Sequence, residues 1–416
     1  TRVWWRIGWL SFGGPSAQIA LMHRMLVDER RWLAEQEFLD ALGFCMLLPG
    51  PEAMQLATYA GWKLHGTRGG LIAGLAFVLP GALVVLLLAM VYASYGHLPF
   101  LQAAFRGIQA AVLVLVVEAV LRIAKRALVH ARQYVLAAAA FVALFAFAVP
   151  YPLLVLAAGL VGACWPLAAA SGAVRAERIP FSRTLRTVGI WLAIWVLPLV
   201  ALAAVPGREH VLPQLAWFFS RLAMVTFGGA YAVLAYMSQE VVQQQGWLTA
   251  RQMLDGLGLA ETTPGPLILV TEFVGYVAAF RAAPAGAITQ GLAGAAVALW
   301  STFAPCFLWV FAGAPWIGWL GAQPRLKGAL AGITAAVLGV IVQLAVWFAL
   351  HVLFARVGTW RAGPLAVPLP DTRTLDPAVL ALTLVSGVLL LRLHWSVHRV
   401  LGALVLLSVV LARLGR

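Results

Sequence analysis

Of the 416 residues, 62% are hydrophobic and only 11% are charged, and the mean hydropathy is +0.91. Soluble domains carry roughly 25% charged residues, so a water-soluble globular fold is excluded. The net charge of +14 does not mark a nucleic-acid partner: the basic residues gather in short loops, first Arg122, Lys125, Arg126 and Arg132, then Arg175, Arg178, Arg183 and Arg186. Such loops between apolar runs are the cytoplasmic loops of the positive-inside rule.

In chain order, a broken helix is expected over about 3–27 and a second broken segment over 35–65. Spans follow near 69–95, 98–122, 134–149 with 151–174, and 187–205. The second half opens on broken helices at 214–240 and 250–280 and continues with spans near 286–314, 327–352, 377–391 and 396–412. The longest runs match the roughly 20 helical residues that a bilayer core requires. Alternating strands of the porin kind are missing, which argues against a membrane β-barrel. The expected fold is therefore an all-α polytopic membrane protein. Its two halves are 1–178 and 207–416, joined over 179–206 by a basic loop and a connecting helix. The chain opens on Thr1 and not on Met, so further residues are expected before it; no cleavable signal peptide is evident. Cys45, Cys164 and Cys306 are far apart and read as small packing residues.

A forty-residue stretch occurs twice, from Phe12 to Pro51 and from Phe227 to Pro266, at a constant offset of 215 with sixteen identities. Each copy starts on Phe-Gly-Gly, carries Trp-Leu and an Asp, and ends on Pro-Gly-Pro. Proline lacks an N–H and fixes φ, and it is favoured as the first residue of a helix. Gly13-Gly14-Pro15-Ser16 and Pro49-Gly50-Pro51 therefore read as points where one half-helix ends and another starts. Gly228-Gly229-Ala230 and Pro264-Gly265-Pro266 are the second set. Ala230 stands where the first copy has Pro15. Duplicated Gly/Pro breaks in apolar segments point to a transporter's binding site. Either motif alone reads as a packing kink; duplication in register makes a site the better reading.

A helix N-terminus carries roughly +0.5 of a charge and several unpaired N–H groups, which makes it an anion site without any Lys or Arg. Four such termini would surround one small oxyanion. Ser16, Gln55, Thr226, Thr262 and Thr263 would add neutral donors. Arg221, six residues before Phe227, lines an anion vestibule or snorkels to the interface. Glu52, Glu261 and Glu272 flank the breaks and are either favourable charges at helix starts or proton-coupling carboxylates. Asp40 and Asp255 occupy matching positions, so one shared structural role is expected, a hydrogen bond between half-helices. Glu118 and Arg122 have the spacing of an i,i+4 ion pair. The 15 acidic residues and eight His are scattered. No metal, cofactor or catalytic constellation emerges, and no enzyme activity is expected.

Phe-Gly-Gly-Pro, Trp-Leu and Pro-Gly-Pro, repeated in two halves, resemble the chromate ion transporter family, over about 400 residues. The resemblance implies a bacterial or archaeal inner-membrane exporter that confers chromate resistance, driven by the membrane potential or a proton gradient. It implies two homologous repeats in inverted orientation, and sulfate as a competing oxyanion. The expected partners are a chromate or sulfate anion, the lipid bilayer and protons as coupling ion, with a homodimer left open. The alternative reading is an importer or channel for sulfate or another small anion.

Two signals bear on inversion. The loop holding Arg24, Arg30 and Arg31 has a counterpart, 238–246, without a basic residue, as opposite sidedness would produce. Counting spans gives inversion if the Pro-Gly-Pro segments cross the bilayer, and parallel repeats if they are re-entrant. The crossing assignment also sets the Arg122–Arg132 cluster opposite the Arg24–Arg31 loop.

Overall fold

A computed structural model describes residues 1–165, 181–204, 210–227, 230–283, 287–321 and 323–414. The chain is an all-α polytopic membrane protein in its spanning part. Among the described residues, five helices are long and apolar enough to cross a bilayer: Glu52–Tyr95, Pro99–Lys125, Ser182–Leu202, Ile288–Leu320 and Pro324–Leu353. Shorter apolar helices cover Ala131–Phe147, Tyr151–Ala163, Val211–Val225 and Pro377–Arg392.

The chain forms two compact units, and both draw on both sequence halves. The first comprises Thr1–Met90, Ala163–Val233 and Thr263–Leu330; the second comprises Val91–Gly162, Leu234–Thr262 and Ala331–Arg416.

The repeat is visible bond by bond. Helix Arg2–Leu10 matches the end of helix Val211–Val225. Each stops at a hydroxyl residue that turns its side chain back one turn: Ser11 Oγ donates to the Ile7 carbonyl at 2.6 Å, and Thr226 Oγ1 to that of Leu222. Helix Gly14–His23 runs into a π-turn, Arg24–Glu29; the second copy repeats this with Ala230–Ser238 and Gln239–Gln244. After that turn Arg31 has a φ of +52°, and its counterpart Gly246 one of +62°. Helices Glu35–Leu47 and Ala250–Thr262, the latter in the second unit, close the forty residues.

The likeness extends past the sequence repeat into a helical hairpin. The Glu52–Tyr95 helix breaks at His65 and Gly66, whose φ values are −142° and +60°, and folds back on itself. Its limbs touch at Gly61 and Gly69, where a Cβ would lie 2.4 Å and 2.2 Å from the facing carbonyl oxygen. Helices Val270–Ala282 and Ile288–Gly313 touch the same way at Gly275 and Gly294, with 2.5 Å and 2.2 Å. Small residues permit this backbone approach where lipid supplies no hydrophobic drive.

The second unit packs helices Pro99–Ala127, Pro377–Gly387 and Val397–Leu414 around Ala111, Val114, Leu382, Val400 and Leu404. Arg122 pairs with Glu118, one turn earlier on its helix. The stretch between the spans near 327–352 and 377–391, to which the sequence assigned no span, is an antiparallel hairpin of Val357–Ala362 and Leu365–Pro370. Gly363, at a φ of +58°, makes its turn. The hairpin packs on helix Ala131–Phe147. Asp376 then caps helix Pro377–Gly387 by accepting from the N–H groups of Ala378 and Val379.

Candidate functional site

All the described breaks fall within the first unit, and they are bonded crosswise. The Gly50 N–H donates to the Thr226 carbonyl at 2.9 Å, and the Gly265 N–H donates to the Ser11 carbonyl at 2.8 Å. Adding 215 to 50 and to 11 gives 265 and 226, so one bond is the repeat image of the other. Each Pro-Gly-Pro is thus tied to the helix end that precedes the other copy's Phe-Gly-Gly. A reciprocal contact of this kind is what a two-fold relation between two like elements produces.

The glycines are required by geometry. Gly50 and Gly265 have φ values of +119° and +90°, and Gly13 and Gly14 of +84° and +77°. A Cβ on Gly50 would lie 2.8 Å from both Cys306 Sγ and Gln55 Nε2. On the partner break, a Cβ on Gly81 would lie 2.2 Å from the Pro264 carbonyl oxygen.

The crosswise bonds correct one expectation. The N–H groups of Gly50 and Gly265 are engaged by carbonyls, and prolines 51 and 266 have none. Donors without an intrahelical acceptor therefore lie one step further on, in the first turns of the helices that start at Gly14 and Glu52. Gly13 is the left-handed residue before the first of these, and Pro15 sits in its first turn beside half-buried Ser16. Glu52 opens the second and is half-buried. In the other copy Pro266 precedes a short 3₁₀ turn, Leu267–Leu269, before helix Val270–Ala282. The two breaks differ in exposure. Pro49 and Glu52 are half-buried, whereas every residue from Thr263 to Val270 is buried.

Gln55 is buried, and its Nε2 donates to the Pro49 carbonyl at 2.7 Å. Thr226 is buried and Arg221 half-buried on helix Val211–Val225. Gly228 and Gly229 lie outside the described residues, and Ala230 begins its helix. Thr263 is buried ahead of the second break.

The three glutamates lie on three different helices. Glu261 is buried on helix Ala250–Thr262 in the second unit. Glu272 is in the first unit, 1% exposed, and its Oε2 makes no hydrogen bond among the described residues. One turn on, the hydroxyl of buried Tyr276 is also unbonded. The paired aspartates do not share a role. Asp40 is exposed and accepts from Gln36 of its own helix at 3.0 Å. Asp255 is buried and accepts from Tyr92 at 2.8 Å and Gln109 at 2.7 Å. Identity at a repeat position carried no information about neighbours, which come from helices outside the repeat.

Sequence reasoning missed two residues. Ser11 supplies the carbonyl that holds Gly265. It was readable as the hydroxyl residue before Phe-Gly-Gly, where the other copy has Thr226. Gln18 is 1% exposed, and its Nε2 donates to the Gly265 carbonyl at 2.7 Å. A lone amide in the apolar run Ser16–Met22 was its signal.

Half-helices broken at glycine and proline, with the breaks of two repeats drawn into one unit, are the architecture of a transporter. The chain matches the family model described as chromate transporter over residues 1–163 and 213–413, and it belongs to that family. It is 30% identical to the probable chromate transport protein of Synechococcus elongatus over 431 aligned residues, covering 95% of each chain. It is 34% identical over 342 residues to the chromate transport protein of Pseudomonas aeruginosa, covering 81% of this chain and 77% of that one. The chromate transport protein of Cupriavidus metallidurans is 30% identical over 344 residues, covering 81% and 78%. No solved structure matches the chain.

Proposed function

We propose that this protein is a secondary active transporter that exports chromate, a small tetrahedral oxyanion, across the inner membrane. The observation that carries the reading is the reciprocal pair of hydrogen bonds, Gly50 to Thr226 and Gly265 to Ser11. It fixes two chain breaks side by side and leaves helix-start N–H groups at Gly14, Ser16 and Glu52–Met54 as donors. Oriented N–H groups suit an oxyanion without a fixed positive side chain. The names of the relatives support chromate as the cargo.

An inside-negative potential expels anions. It supplies about 2.3 kcal/mol per charge per 100 mV, and twice that acts on a dianion. Proton entry adds to this drive, and Glu272 is the favoured carrier. Burying a charge without a partner is costly, so a carboxyl at that place exchanges a proton as water gains and loses access. Glu52 and Glu261 are the other two candidates. Inverted repeats fit the reciprocal bonds and the basic loop that only the first copy carries.

The test is flux of chromate, sulfate and molybdate through purified protein in proteoliposomes, under imposed voltage and pH gradients. Chromate flux with inhibition by sulfate is expected. Absence of protein-dependent oxyanion flux under every gradient removes the proposal, and sulfate flux without chromate flux favours a sulfate carrier instead.

A further inference from the structure

The two breaks are related by the repeat, but the side chains that hold them are not. Gln18 Nε2 donates to the Gly265 carbonyl at 2.7 Å and approaches the Ser11 carbonyl at 3.4 Å. Gly265 in turn donates its N–H to Ser11. The second Pro-Gly-Pro is thereby gripped on both faces of one glycine by the helix end and helix start of the first copy. At the matching position the second copy has Val233, buried and without a donor. The first Pro-Gly-Pro has the backbone Gly50–Thr226 bond, and a side-chain bond to it comes from Gln55 of its own copy. Val233 cannot replace Gln18 there by symmetry. The difference in burial between the breaks follows the same division: Pro49 and Glu52 are half-buried, and Thr263–Val270 is buried throughout.

We propose that Gln18 is a positioning residue that makes a two-fold site one-sided. It joins helix Gly14–His23 and the second Pro-Gly-Pro into one rigid block, and the first Pro-Gly-Pro is the break that opens. The Gly50–Thr226 bond is then the joint that parts when substrate enters, while the Gly265–Ser11 bond stays closed. The Oε1 of Gln18 is buried and has no hydrogen bond among the described residues. An amide holds its oxygen within about 2.3 Å of its nitrogen by the usual bond lengths, so this acceptor lies at the second break, ready for a water or an N–H that the moving break presents. That the opening admits an oxyanion rests on the transport reading; the one-sidedness does not.

The experiment uses Leu48 and Thr263, which are repeat counterparts one residue before each Pro-Gly-Pro. In the full chain with Cys45, Cys164 and Cys306 changed to Ala, the Leu48→Cys and Thr263→Cys variants are labelled with a small thiol reagent in membranes. Leu48→Cys is expected to label at least about tenfold faster. Gln18→Met keeps the volume and removes the donor. Loss of one hydrogen bond corresponds to roughly a three- to tenfold change. Gln18→Met should speed labelling of Thr263→Cys by that factor and leave Leu48→Cys unchanged. A general loosening of the fold would speed both. Equal labelling of the two breaks in the parent, or no effect of Gln18→Met on Thr263→Cys, overturns the proposal. Val233→Gln offers a second arm, with slower labelling of Leu48→Cys expected from a donor transplanted to the first break. Chromate flux measured on the same variants separates the two claims. One-sided labelling without flux retains the positioning role and removes the transport reading, and flux with symmetric labelling does the reverse.

Discussion

Gly50→Ala is the substitution whose cost is set most closely by the structure. The φ of +119° at Gly50 is a region that costs a residue with a Cβ about 1–3 kcal/mol. The new methyl would sit 2.8 Å from Cys306 Sγ and 2.8 Å from Gln55 Nε2, and overpacking of this kind adds about 1–3 kcal/mol. If Gln55 yields, its bond to the Pro49 carbonyl goes too, for about 1 kcal/mol more. The sum is roughly 2–6 kcal/mol without that last loss and roughly 3–7 kcal/mol with it. Gly14→Ala is the control, because Gly14 has a φ of +77° and nothing within 4 Å of a Cβ. It should cost only the backbone part, about 1–2 kcal/mol. Removing the sulfur with Cys306→Ala should recover part of the Gly50→Ala penalty, a coupling of about 1 kcal/mol or more. The assay is unfolding of purified protein in detergent, run beside initial rates of chromate flux. A Gly50→Ala penalty no larger than that of Gly14→Ala, or strict additivity with Cys306→Ala, would refute the reasoning about the break.

Glu272→Gln is expected to abolish the pH-gradient component of flux and spare the voltage component; if Glu52→Gln, Glu261→Gln and Glu272→Gln all keep it, none of the three is the proton carrier. Arg31 holds the left-handed conformation that Gly246 holds in the other copy, so Arg31→Gly should stabilise the protein by up to about 1 kcal/mol and Gly246→Arg should destabilise it by about 1–2 kcal/mol; a reversed order in thermal unfolding would contradict the assignment. Asp255→Ala leaves the Tyr92 and Gln109 donors buried without their acceptor and should cost about 2–4 kcal/mol, whereas Asp40→Ala should cost less than about 0.5 kcal/mol; equal effects on unfolding would restore a shared role for the pair.

Much of this fold was legible because glycine and proline act locally. The breaks at Gly13-Gly14-Pro15 and Pro49-Gly50-Pro51 follow from φ and from the missing N–H, and apolar length locates the spans. The crosswise bonds were not legible. They join residues far apart in sequence through backbone groups, which every residue possesses, so no residue type announces them. Gln18 was passed over because a single amide in a helix is usually a local matter; its partner lies 247 residues away. The matching aspartates misled for the opposite reason: the repeat preserved the residue, while Tyr92 and Gln109, which make Asp255 a buried acceptor, lie outside it. The hairpin at 357–370 has no apolar run to announce it, and Gly363, Pro364, Pro368 and Pro370 interrupt the strand pattern. Prolines are tolerated in a two-stranded sheet, where every strand has an open edge.

The central claim is that the paired breaks carry a small oxyanion across the membrane under voltage. The direct measurement is initial-rate chromate flux into and out of proteoliposomes clamped by potassium diffusion potentials of either sign, with no pH gradient. The account predicts protein-dependent flux away from the negative compartment, reversing with the sign of the potential and approaching a gradient on the order of a thousandfold per 100 mV for a dianion. Flux that is absent, or indifferent to voltage, would contradict it.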